Sequence, residues 1–210
     1  MEEFERDLNL LEAVLDVGLN ERVRGKLGLL KSRLIQLRRD NIIKINHSVM
    51  ELVGAKFLLL KGYEVDVERQ LTESLVCDLY ATREDEVMIV EIETGFVPPE
   101  NALDPLAYYE ARIASKISRY CVHSSRFGLG TPPHHILNIP RVFLVPREER
   151  GAEDMAKLKG NCDRYYRNPP IELDSIRGGF LNAIYVINVD DSKVKEFYPS
   201  DYSATYPFMI

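Results

Sequence analysis

Three acids stand where a folded chain rarely tolerates them. Asp78 interrupts the apolar run LVCDLYA, and Glu91 and Glu93 alternate with Val90 and Ile92 in VMIVEIETG. Successive side chains of a strand point to opposite faces, so Glu91 and Glu93 share one face while Val90 and Ile92 point the other way, toward a core. If the segments carrying Asp78 and Glu91 form a tight hairpin, Asp78 lies across from the Glu91 region. Buried like charges repel one another and lose their hydration, so a strand interior tolerates such a cluster when a cation neutralises it. Hard oxygen ligands of this type suit Mg²⁺ or Mn²⁺. The plain alternative is a solvated sheet face on which each acid pairs with a base such as Arg83, Arg112 or Lys116. That suffices for one acid alone. It accounts less well for Asp78 and Glu91 together, each flanked by apolar residues on both sides.

Glu51 is a fourth acid, in a helical stretch with His47 one turn earlier and Gly54 and Ala55 one turn later. The small residues make its face narrow, so that it can press against strands and orient a metal-bound water; otherwise Glu51 is a surface residue facing Lys44 or Lys56. Further on, Arg112, Lys116, Arg119 and His123 recur at steps of four, three and four, a basic stripe on one helical face. Facing a groove, Lys116 would stabilise a phosphate while Arg112 and Arg119 hold the backbone; facing water, the stripe is the polar side opposite Leu106, Ile113 and Ile117. Other signals are weaker. CDRYYRNPP reads as a helix end packing its tyrosines, the adjacent His134 and His135 are poorly placed to share a metal, and no base partner is evident for Cys77, Cys121 or Cys162.

The elements that must position these residues follow from periodicity. Phe4, Leu8, Leu11 and Leu15, then Val23, Leu27, Leu30, Leu34 and Leu37 after Gly18, mark two amphipathic helices in a hairpin. The hairpin is expected to form an arm over residues 1–44, ahead of an α/β domain over 45–210. In that domain a helix is expected over 41–61, ending at Gly62, and strands over 62–69, 74–82 and 86–94. A loop with Pro98 and Pro99, a helix over 104–121 and a Gly/Pro-rich loop over 128–133 come next. RVFLVP at 141–146 reads as a buried strand, followed by a helix near 151–166 and a strand over 182–189. This order implies a mixed sheet with helices on both faces.

An acid on the first helix, a helix ending LLKGYEV, Asp78 on the second strand, twelve intervening residues and then VEIET on the third resemble the PD-(D/E)XK nuclease superfamily. The resemblance covers Glu51 to about Lys116 and implies a restriction-endonuclease-like αβββαβ core. It implies a divalent-metal-dependent phosphodiesterase, most often a DNA endonuclease, with Asp78, Glu91 and the backbone carbonyl of Ile92 as metal ligands and Glu51 as auxiliary acid. The family's usual lysine two residues after the second acid is Glu93 here. Some members carry an acid there, with Glu93 then assisting a second ion or the water, and others bring a lysine from a neighbouring helix, for which Lys116 is the candidate. The alternative is a nuclease-like module that binds nucleic acid or assembles with partners without catalysis.

Composition sets the outer limits. The 210 residues carry a formal charge of −6, against coating of nucleic acid by bulk charge. No run approaches the ~20 apolar residues of a membrane span, and the acidic start is unlike a signal peptide, so a cytoplasmic location is expected. The first 19 residues hold six acids and one base, whereas residues 20–44 hold eight bases, among them Arg38 and Arg39, against two acids. A basic helix of this kind grips DNA or packs on the body or on a second subunit; a homodimer is one expected form.

Overall fold

The computed structural model describes residues 2–42 and 47–206. Two helices, α1 (Glu2–Leu15) and α2 (Glu21–Arg39), form the expected hairpin, the second opened by Asn20, whose side-chain oxygen accepts from the Val23 N–H at 2.9 Å. Helix α3 (Ser48–Leu60) follows; it does not start at residue 41 as expected, because Asn41 closes the end of α2 in a turn with a positive φ of 56°, while the boundary at 44/45 lies outside the described residues. Then come β1 (Glu64–Thr72), β2 (Leu75–Arg83), β3 (Glu86–Ile92), α4 (Pro105–Tyr120) and β4 (Arg126–Thr131), an αβββαβ order from α3 onward. The chain continues through α5 (Ala152–Tyr165), α6 (Leu173–Gly178), β5 (Ala183–Asn188), β6 (Lys193–Phe197) and α7 (Pro199–Thr205). No helix among the described residues is long and apolar enough to cross a membrane.

The protein is α/β, with a six-stranded mixed sheet in the order β1-β2-β3-β4-β5-β6. The outer pairs β1–β2, β2–β3 and β5–β6 are antiparallel, and β3–β4–β5 are parallel. Helices cover both faces. On one, Leu8 of α1, Leu27 and Leu34 of α2 and Leu52 and Val53 of α3 pack with Leu79, Val90 and Ile92; on the other, Ile113 and Ile117 of α4, Leu158 of α5 and Ile176 of α6 pack with Ile89, Phe127 and Leu129. The hairpin thus shares one continuous core with α3 and the sheet.

Its charge asymmetry closes internally. Lys31 and Arg39 of α2 pair with Glu12 and Glu5 of α1, while Arg22 and Lys26 pair with Glu64 and Arg33 with Asp66 on β1. Two bases of α2 thus meet acids of α1, and three meet acids of β1. Strapping of this kind follows from two antiparallel helices of opposite charge laid side by side.

One strand lies elsewhere than expected. The fourth strand is RFGLGT at 126–131, not RVFLVP at 141–146. Glycines made the first segment look like a loop, yet a Cβ on Gly128 would stand 2.6 Å from Tyr185 Cε2, so the missing side chain makes room for the neighbouring strand's tyrosine. RVFLVP sits between Pro140 and Pro146, turns tightly over Arg141–Phe143 and still buries Val142 and Phe143. Its apolarity reports burial rather than a strand.

Candidate active site

The β2–β3 ladder runs from Arg83↔Glu86 to Leu79↔Val90. One step further, side chains replace backbone partners. The Asp78 N–H donates to Glu91 Oε1 at 3.1 Å, and the Ile92 N–H donates to Asp78 Oδ2 at 2.5 Å. Alternation breaks at the same point, since Leu79 packs with the α3 face and Cys77 with the opposite one. Asp78 therefore stands where the two faces of the sheet meet, able to address groups from both.

From the α4 side comes Lys116. Its Nζ donates to Glu91 Oε2 at 3.0 Å and to the Ile92 carbonyl at 2.8 Å, and lies 3.7 Å from Asp78 Oδ2. Burial alone would favour the neutral amine, but Glu91, Asp78 and Glu93 outweigh it and raise the Lys116 pKa above its ordinary value. Glu91 is 2% exposed, and burial together with the Asp78 charge pushes its pKa up to about 8 despite the ammonium beside it.

From the α3 side comes Glu51, fully buried at 0% exposure, with neither carboxylate oxygen hydrogen-bonded among the described residues. Desolvation, then the charges of Asp78, Glu68 and Glu91, hold its pKa well above the usual carboxylate range. Helix α3 can approach this closely because of Gly54, where a Cβ would lie 2.9 Å from Leu79 Cδ1. His47, just before α3, is half-buried, and burial lowers its pKa. His47, Glu51 and Asp78 each offer one ligand atom, and those three atoms lie within 4.8 Å of one another.

Glu93 has a different task from its sequence neighbours. At 1% exposure it pairs with Arg112 Nε and accepts the Gly95 N–H at 3.0 Å, while Arg112 also donates to the Tyr108 hydroxyl at 3.2 Å. Burial opposes the charge on Arg112, but Glu93 more than offsets it, so the guanidinium is firmly ionised. The pair rivets α4 to the end of β3, and Lys116 sits one turn further along the same helix.

The expected phosphate-holding arginines are thus occupied within the chain. Arg112 is committed to Glu93. Arg119 donates to the Pro169 carbonyl at 2.6 Å and lies 5.3 Å from the Tyr166 ring centre. Arg39 makes a two-pronged contact with Glu5 at 2.8 Å in each prong, and Arg38 lies half-buried in the last turn of α2. The structure therefore brings Glu51, Asp78, Glu91 and Lys116 together and leaves Arg38, Arg39 and Arg119 outside that cluster.

Glu68 of β1 was not singled out by sequence. It falls between the pairs Val67↔Leu79 and Arg69↔Cys77, opposite Asp78, with a positive φ of 48°. Burial and the Asp78 charge raise its pKa to about 7. The two-residue turn Glu73-Ser74, which pairs Thr72 with Leu75, would alone set residue 68 across from Leu79; a register shift between Gln70 and Thr72 moves it by one, opposite Asp78, and nothing in the sequence marked that shift. Strict alternation instead groups Glu68 with the solvent-facing Glu64.

No model of a known protein family matches the chain, and no curated protein matches its sequence. Among solved structures the chain is similar to a CdiA-CT/CdiI toxin and immunity complex from Burkholderia pseudomallei, at 15% identity over 73% of this chain and 85% of that one, with a TM-score of 0.29. A likeness that slight bears on neither fold nor activity.

Proposed function

We propose that this protein is a divalent-cation-dependent phosphodiesterase acting on nucleic acid, with DNA the favoured substrate. One observation carries the reading: Asp78 and Glu91 meet the Lys116 ammonium, while Glu68 and Glu51, the latter buried and without a hydrogen-bond partner among the described residues, bring their charges to bear on Asp78. Four acids against one base leave an excess of negative charge that burial makes costly and a Mg²⁺ or Mn²⁺ ion relieves. The Glu51 oxygens, without a donor among the described residues, are the fit test, since a divalent ion satisfies a buried carboxylate of this kind.

Glu51 and Asp78 are the groups that would hold the ion; Glu91 and the Ile92 carbonyl, which the resemblance also assigns to it, are engaged by the Lys116 ammonium. When bound, the ion supplies Lewis acidity toward a phosphate oxygen and a more acidic water. Lys116 presents its positive charge where a scissile phosphate would approach the carboxylates, the duty that a lysine at position 93 would otherwise have. The Arg112–Glu93 pair fixes the helix from which Lys116 projects.

Cleavage tests the reading directly. Single-stranded, duplex, nicked and branched DNA and RNA are incubated with chelated protein, then with Mg²⁺ or Mn²⁺ restored, for wild type, Asp78→Asn and Glu91→Gln. Ion-dependent cleavage that both substitutions abolish is expected. Binding of nucleic acid without cleavage under any condition would support the non-catalytic module instead.

A further inference from the structure

Asp78 is used differently on its two sides. On the α4 side, the Lys116 ammonium fills the space among Glu91 Oε2, the Ile92 carbonyl and Asp78 Oδ2, at 3.0, 2.8 and 3.7 Å. The oxygens that the family resemblance assigns to a metal are thus already satisfied by a cation of the chain itself. On the α3 side, Glu51 is fully buried and its two oxygens have no partner among the described residues. There His47, Glu51 and Asp78 converge, one ligand atom from each, all within 4.8 Å of one another.

We propose that the His47–Glu51–Asp78 triad is a mixed nitrogen–oxygen cation site, in which the His47 imidazole is a ligand and confers a preference for a first-row transition ion such as Mn²⁺ over Mg²⁺. The proposal refines the ion of the preceding section and rests on that reading only for the reaction, not for binding. Three ligands fit the chemistry. Two carboxylates supply the charge that draws any divalent ion, and an imidazole adds a donor that hard Mg²⁺ accepts reluctantly and transition ions accept readily. The positive end of the α3 dipole opposes a cation only weakly, and two carboxylates at contact distance outweigh it. Glu68, whose charge reaches both Glu51 and Asp78, adds negative potential from β1. Lys116 keeps its place beside Glu91, on the opposite side of Asp78 from the triad.

The test is binding of Mn²⁺ alone. Free Mn²⁺ is counted by electron paramagnetic resonance during titration, Mg²⁺ is measured as competitor, and pulsed measurements on the bound ion look for modulation from a ligand nitrogen. Wild type is compared with His47→Ala, Glu51→Gln and, in case the alanine variant fails to fold, His47→Gln, each checked by circular dichroism. The site predicts nitrogen modulation in wild type that vanishes in the His47 variants. It also predicts a Mn²⁺/Mg²⁺ affinity ratio that falls at least about tenfold in those variants, and loss of tight Mn²⁺ binding in Glu51→Gln. Modulation that persists without His47, no modulation in wild type, or binding indifferent to Glu51→Gln would each overturn the triad. Mn²⁺ binding with these properties but no cleavage of any nucleic acid would uphold the site and sink the phosphodiesterase reading; cleavage with His47-independent binding would do the reverse.

Discussion

Removing Arg112 should destabilise the fold far more than an ordinary surface substitution. Glu93 is 1% exposed, and its charge is met by Arg112 and by one backbone N–H from Gly95. Arg112→Met keeps much of the side-chain volume and strands that carboxylate. Breaking a buried ion pair from one side costs about 3–5 kcal/mol, and since the Arg112 side chain keeps 19% of its surface exposed, the lower end, about 3 kcal/mol, is expected. For a chain of 210 residues, about 2–4 °C of melting temperature accompanies each kcal/mol, which places the shift at roughly 6–12 °C. Thermal unfolding followed by circular dichroism at pH 7, in the presence of a chelator, measures it. Adding Glu93→Gln to Arg112→Met removes the stranded charge and should recover at least half of the loss. A single-variant shift below about 2 °C would mean that the pair behaves like a solvated surface contact worth under 1 kcal/mol, and the account of Glu93 as a rivet would be wrong.

Other outcomes follow from the same geometry. Burial and the Asp78 charge hold the Glu91 and Glu68 pKa values above the 4.5 of a free carboxyl, up to about 8 and about 7, so in the range from about pH 4.5 to 8 the native state binds more protons than the unfolded chain. Stability without metal should therefore fall as pH rises from about 5 to 8, and a saturating divalent ion should flatten that decline; a melting temperature that rises over this range without metal would contradict the burial of these acids. Gly128→Ala should cost about 1–3 kcal/mol through overpacking against Tyr185, read by denaturant titration, and a neutral effect would argue against 126–131 as an interior strand. Glu93→Gln should leave divalent-ion affinity within about threefold of wild type by calorimetry, because Glu93 is committed to Arg112, whereas Glu51→Gln should weaken it at least about tenfold.

Much of the fold was legible because its signals are periodic. Heptad-like leucines gave the hairpin, and the alternation in VMIVEIET placed Glu91 and Glu93 opposite a core-facing Val90 and Ile92. The fourth strand was not legible, because Gly128 is small for a packing reason that only Tyr185 on the neighbouring strand reveals. RVFLVP misled for the complementary reason, since an apolar run between prolines buries equally well as a turn. In the site, the pairing of Asp78 with Glu91 could be inferred from hairpin geometry, and Lys116 from the spacing of the basic stripe. The commitment of Arg112 to Glu93 could not, because the stripe's period fixes a helical face but not which of its members meets the buried acid. Glu68 was hidden by a positive φ that alternation does not anticipate. Which of the open readings of the basic α2 face held could not be read from sequence, because its partners, Glu5 and Glu12 on α1 and Glu64 and Asp66 on β1, are close only after folding.

The central claim is that a buried acid cluster and Lys116 together form a cation-dependent phosphodiesterase centre, and the most direct measurement is the rate of nucleic-acid cleavage as a function of Mg²⁺ and Mn²⁺ concentration for wild type and Lys116→Met. The account predicts a saturable dependence on the ion in wild type, no cleavage in excess chelator, and a loss of about 10²–10³-fold in the folded Lys116→Met protein. Cleavage that persists in chelator, or that proceeds at the wild-type rate without Lys116, would contradict it.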